Sequence, residues 1–183
     1  MRNQRRVGVL LALSYVGFVS LGLPDGLLGV AWPSIREQFR LELDALGPLL
    51  VATTAGYVFA SFSSGRVLAR MNLGALLGAS CAAMAISLIG YAIAPAWFVM
   101  VGFGLFAGLG AGAIDAALNT YVATHHSPRT LNWLHACYGI GAASGPALMT
   151  GVLMAGDPWQ RGYWMVALGQ IALALCFFAT RAL

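Results

Sequence analysis

The sequence contains no lysine and little charge of any kind: aspartate, glutamate and arginine together make up 9% of its 183 residues. Soluble domains carry about a quarter, so a water-facing globular surface is excluded. Cysteine is scarce too. Cys81, Cys137 and Cys176 all lie inside apolar runs, with neither metal-ligand spacing nor a paired framework, so they read as small packing residues. The net charge of +4 sits in short gaps between apolar runs rather than on one polar face, which excludes a nucleic-acid binder. A His-Glu metal cluster, a serine–lysine pair on one helix face and a cysteine–histidine arrangement are all missing. The expectation is therefore a non-enzyme with no cofactor and no metal.

What the chain has is hydrophobicity. Apolar residues make up 60%, and the 23 glycines and seven prolines suit membrane helices better than soluble ones. A bilayer core needs about 20 mostly apolar residues per helix. The sequence predicts an all-α polytopic membrane protein with six spans, at about 7–33, 46–68, 73–94, 97–123, 131–155 and 162–180, within one bundle of residues 1–183. The first run follows a basic start but is too long for a signal peptide. The segment Arg36-Glu37-Gln38-Phe39-Arg40 marks the first break, and Gly156-Asp157-Pro158 the last. Pro24 lies inside span one, where a neighbouring helix or water can satisfy the carbonyl it frees.

Arginine bias gives orientation. With the N-terminus inside, the inner segments hold Arg2, Arg5, Arg6, Arg66, Arg70, Arg129 and Arg181 and no acid. The outer segments hold Arg36, Arg40 and Arg161 against Glu37, Glu42, Asp44 and Asp157. Both termini are expected in the cytoplasm, in a bacterial plasma (inner) membrane. Trp32, Trp97 and Trp159 would then mark the outer interface. His125 and His126, in a loop, are read as solvated residues of the inner face.

A carboxylate inside a membrane costs at least about 2.5 kcal/mol, so it faces a cavity or a partner. Asp25 in span one and Asp115 in span four are therefore the leading functional residues and candidate proton carriers. A backbone-bonding role beside Pro24 is the plainer alternative for Asp25. Asn119 shares the face of Asp115, and Asn132 that of His135. His135 could bind a solute hydroxyl, relay a proton or merely bond another helix.

Gly22-x-x-Asp25 returns as Gly112-x-x-Asp115, ninety residues and three spans later. Three spans reverse direction in the membrane, so a 3+3 inverted repeat is predicted. Its mirrored depths put Asp25 toward the outer side and Asp115 toward the inner, as stations on one path. Gly104, Gly108 and Gly112 recur every four residues on one face, and Gly141, Gly145 and Pro146 do similar work in span five. Both sets read as helix-packing positions.

The strings Gly108-Leu109-Gly110-Ala111-Gly112-Ala113-Ile114-Asp115-Ala116-Ala117-Leu118-Asn119 and Leu131-Asn132-Trp133-Leu134-His135-Ala136-Cys137-Tyr138-Gly139-Ile140-Gly141, with Gly145-Pro146 and Gly22-Leu23-Pro24-Asp25-Gly26, carry a family likeness. The chain resembles the N-terminal half of a major facilitator superfamily transporter, in particular the fucose permease-like branch with its glucose-transporting animal relatives. The resemblance implies proton-coupled transport of a sugar-like solute by alternating access. Asp25 looks like the span-one carboxylate of the sugar permease, and Asp115 takes the place of its span-four glutamate. Asn119 and Asn132 match asparagines, while His135 replaces a glutamine and Tyr138 a functional asparagine. The segment Ser64-Gly65-Arg66-Val67-Leu68-Ala69-Arg70-Met71-Asn72 keeps the glycine and arginines of the family loop but lacks its acid.

The Gly141-x-x-x-Gly145-Pro146 pattern is also similar to that of drug antiporters, which leaves an efflux antiporter half for hydrophobic compounds open. A non-transporting truncated membrane protein is the third reading. The family has twelve spans, with the solute between two six-helix halves. The implied partners are therefore a small-molecule solute, protons, the lipid bilayer and either a second six-helix half or a second copy, but no nucleic acid.

Overall fold

Apolar runs of about 20 residues satisfy their own backbone in a bilayer by coiling into helices, and each of the six does so. The computed structural model describes the backbone of residues 2–180 and the side chains of residues 8–179. The side chains of Arg2, Arg5 and Arg6, and the whole of Arg181, lie outside the described residues. The helices are α1 (Arg2–Phe39), α2 (Leu46–Leu68), α3 (Leu73–Ile93), α4 (Trp97–His125), α5 (Pro128–Met154) and α6 (Gln160–Thr180). A short 3₁₀ turn, Leu43–Ala45, precedes α2. Among the described residues, six helices are long and apolar enough to cross a membrane.

The helix ends have local causes. Asn72 caps α3, its side chain accepting from the Ala75 N–H at 2.8 Å. Pro128 opens α5 at the first turn, where its missing N–H costs nothing. Helix α5 closes on Gly156 at φ +77, with the Gly156 N–H on the Leu153 carbonyl and the Asp157 N–H on the Val152 carbonyl. Helix α1 closes the same way, but with Arg40 at φ +53 in the place that usually takes glycine. It therefore continues through Pro33 and the charged Arg36-Glu37 step instead of breaking there. At about 1.5 Å per residue it reaches roughly 57 Å, well past a hydrocarbon core of about 30 Å.

Packing follows the internal repeat. The dominant helix pairs are α2 with α4, α1 with α5, and α3 with α6. Exchanging α1 with α4, α2 with α5 and α3 with α6 converts the first pair into the second and leaves the third unchanged. The next pairs, α3 with α4 and α1 with α6, also exchange. The fold is thus a 3+3 inverted repeat of six transmembrane helices. Lipid tails give no hydrophobic drive for helix association, so close packing must supply it. At the α2–α4 crossing a side chain on Gly108 would strike the Thr53 carbonyl, and one on Gly112 the Tyr57 carbonyl. Gly104 abuts Leu49 and the Thr53 hydroxyl. At the α1–α5 crossing Gly141 meets the Val19 carbonyl, Gly145 the Leu23 carbonyl, and Gly26 the ring of Pro146.

Two apolar clusters fill the bundle. One gathers around Phe18, Leu77, Ile114 and Phe177, the other around Leu27, Trp32, Met100 and Tyr163. At the end where α1 stops and α6 starts, the Trp159 indole and the Gln160 amide both donate to Gln38 Oε1, at 3.0 and 2.8 Å. Arg161 and Asp157 form an ion pair there. Cys81 is buried, Cys137 half-buried and Cys176 exposed.

Candidate functional site

The Gly-x-x-Asp repeat has a structural meaning. Gly22 lets the backbone of α5 come so close that a Cβ would collide with the Tyr138 carbonyl. One turn further along α1, Asp25 Oδ2 accepts a hydrogen bond from the Tyr138 hydroxyl at 2.8 Å. In the other repeat Gly112 stands against the Tyr57 carbonyl of α2, and Asp115 Oδ2 accepts from the Tyr57 hydroxyl at 2.6 Å. Each glycine brings the partner helix in, and each aspartate is clasped by the tyrosine that this approach delivers. The Asn119 amide donates to Asp115 Oδ1 at 3.0 Å from the same helix face, while its own carbonyl oxygen is buried without a partner.

Both clasps open onto one cavity of about 400 Å³. Phe18, Met84 and Ala111 supply apolar wall, and Asp25, Asp115, Tyr57, Tyr138, Thr53 and His135 supply polar groups. The His135 ring packs edge-on against Phe18, centroids 5.7 Å apart. The two carboxylates therefore share one chamber, each bonded to its own tyrosine. Asn132 is exposed and outside this lining. Arg36, Arg40, Arg66, Arg70, Arg129 and Arg161 are all exposed, and none lines the chamber. With two acids and, among the described residues, no arginine in its lining, it is acceptor-rich: it suits hydrogen-bond donors and disfavours anions. Among the described residues no three His, Cys, Asp or Glu side chains are grouped to hold a metal ion.

The family model of the Major Facilitator Superfamily matches residues 14–182. The chain belongs to the major facilitator superfamily. No curated protein matches it. As a major facilitator it is an integral membrane protein of solute transport rather than an enzyme, and its six helices have the architecture of half a major facilitator fold.

Of the residues singled out in the sequence, Asp25, Asp115, His135 and Tyr138 meet at this major facilitator's cavity. Asn119 reaches it only through Asp115. Tyr57 was not among them. It is the single tyrosine of α2, as Tyr138 is of α5, and the inverted repeat makes the two equivalent. At the α4–α5 turn, His126 is not fully solvated. It is half-buried, its ring edge-on to Tyr121 at 5.6 Å, while His125 stacks on the same tyrosine at 4.9 Å.

Proposed function

We propose that this major facilitator moves a small, sugar-like polyhydroxyl solute in step with protons, by alternating access. The supporting observation is the convergence of two carboxylates from opposite repeats on one cavity, each clasped by a tyrosine. Acceptor-only groups in an apolar wall suit solute hydroxyls, which donate. Aromatic rings beside them suit the apolar faces of a sugar. A carboxylate that gains a proton exchanges an acceptor for a donor, so its protonation state changes what the site can hold. Asp25 and Asp115 are the proton carriers in this reading, and His135 and Tyr138 contact the solute. Asn119 orients Asp115, and Asn132, exposed one turn from His135 on the same helix, is the remaining solute contact in this reading. The fucose permease-like branch is the proposed affiliation, and symport into the cytoplasm the proposed direction, with both termini cytoplasmic in a bacterial inner membrane.

The open side of the cavity is closed in this reading by a second six-helix bundle, against which the first rocks. Reconstitution of the assembled transporter under an imposed proton gradient tests the proposal. Labelled fucose, glucose and galactose are offered in turn. Saturable uptake of at least one, lost when the gradient is collapsed, is the expected result. Uptake indifferent to the gradient, or saturable only for apolar compounds, overturns it in favour of facilitated diffusion or of efflux.

A further inference from the structure

Proline has no N–H, so Pro24 cannot bond the carbonyl of Ser20, one turn before it in α1. A carbonyl left free inside a membrane protein must find another donor. It finds Gln170 of α6, whose Nε2 donates to the Ser20 oxygen at 3.0 Å. Gln170 is fully buried, a costly location for an amide, and its second contact is the Met84 sulfur at 3.8 Å. Ser20 O can only accept, which fixes which end of the amide faces it. The residue after Pro24 is Asp25. The Ser20–Gln170 contact lies on the side of α1 that faces α6, among Val16, Leu23 and Val166, whereas Asp25 opens to the cavity.

We propose that Gln170 is a positioning residue for Asp25: from the far side of α1 it holds the carbonyl that Pro24 leaves free, and so fixes the gap in the helix ladder from which the carboxylate projects. The proposal rests on the reading of Asp25 as a proton carrier for its transport consequence, but not for its structural core. Leucine at 170 would keep the bulk and lose the donor. A lysine or arginine would have the reach but would carry a charge into the bundle.

The test is a double-mutant cycle between positions 24 and 170, read as melting temperature of the purified chain in detergent. Gln170→Leu strands a buried carbonyl and lowers the melting temperature by about 4–8 °C. In a Pro24→Ala background the N–H of residue 24 takes over the Ser20 oxygen, and the same change costs less than about 2 °C. If Gln170→Leu alone fails to accumulate, its recovery by Pro24→Ala is the same result read as yield. Equal losses in both backgrounds overturn the assignment. Positioning is read separately, as the pH midpoint of proton-driven uptake by the assembled transporter. Gln170→Leu shifts it in the same direction as Tyr138→Phe, and Gln170→Glu, which keeps an O–H donor when neutral, restores it. A midpoint that stays put while stability falls reduces Gln170 to a structural role and overturns the positioning claim. Uptake that survives Asp25→Asn refutes the proton-carrier reading alone, and the positioning claim is then decided by stability: non-additive losses for Gln170→Leu and Tyr138→Phe uphold it, and additive losses overturn it.

Discussion

Gly22→Ala should disconnect Asp25 from Tyr138 without touching either side chain. An ideal Cβ on Gly22 lies 2.6 Å from the Ala142 nitrogen, 3.1 Å from the Gly141 carbonyl carbon, and closer still to the Tyr138 carbonyl oxygen. Ordinary contact begins at 3.4 Å. Backbone atoms on both sides cannot swing aside as a flexible side chain would, so α1 and α5 must part by at least about 0.8 Å at this crossing. The Tyr138–Asp25 bond, now 2.8 Å, would stretch to about 3.6 Å or more, beyond hydrogen-bond length. A hydrogen bond to a charged group is worth about 1.5–3 kcal/mol, and the openness of Asp25 to the cavity selects the lower end. A carboxylate that loses this bond no longer takes part in the transport cycle as before, so the pH midpoint of proton-driven uptake should shift. The loss of about 1.5 kcal/mol should also lower the melting temperature of the purified chain by about 3–6 °C. Tyr138→Phe should shift the midpoint in the same direction and by the same amount, and the double variant no more than either alone. Gly29→Ala, where a Cβ meets nothing within 4 Å, should leave the midpoint unchanged. A folded Gly22→Ala protein with an unshifted midpoint would refute the clasp, as would a double variant that shifts by the sum.

Asp115→Asn in the assembled transporter should abolish proton-driven accumulation while sparing exchange of labelled for unlabelled solute; normal uphill uptake would end its role as a proton carrier. Cysteines introduced at positions 2 and 157 should be labelled by an impermeant reagent from the cytoplasmic and outer sides respectively in sealed cells, and outside labelling at position 2 would reverse the proposed topology. Arg40→Gly removes a side chain from a left-handed turn at φ +53, a strain of about 1–2 kcal/mol partly offset by the greater chain entropy of glycine. Its melting temperature should rise by about 2 °C.

The spans and the inverted repeat were legible because bilayer thickness sets a length that few soluble helices match, and because ninety residues separate both Gly22 from Gly112 and Asp25 from Asp115. The α1–α4 register carried the signal; the α2–α5 register hid it. Tyr57 and Tyr138 are eighty-one residues apart, since the extended end of α1 and its 3₁₀ turn lengthen the first connection. A single-offset comparison therefore cannot align them, and Tyr57 stayed invisible. The convergence of both carboxylates on one chamber was also out of reach. Depth along a helix can be counted from sequence, but the crossing that turns Asp25 and Asp115 toward the same space depends on carbonyl-to-glycine contacts between helices distant in the chain. The continuation of α1 past Pro33 was masked because charge beside a proline reads as a boundary, whereas the structure ends the helix at the left-handed Arg40.

The exchange symmetry of the helix contacts makes the bundle close to a palindrome in the membrane. Turned upside down, α4 occupies the place of α1, its glycine, aspartate and borrowed tyrosine falling where the others were. Packing energy, being nearly blind to this inversion, cannot decide which end faces the cytoplasm. That choice is left to features that the two repeats do not share, the arginines of the connecting segments. The instructions for how this protein folds and for which way up it sits are thus written in separate parts of its sequence, the first in the small residues of the spans and the second in a handful of charges between them.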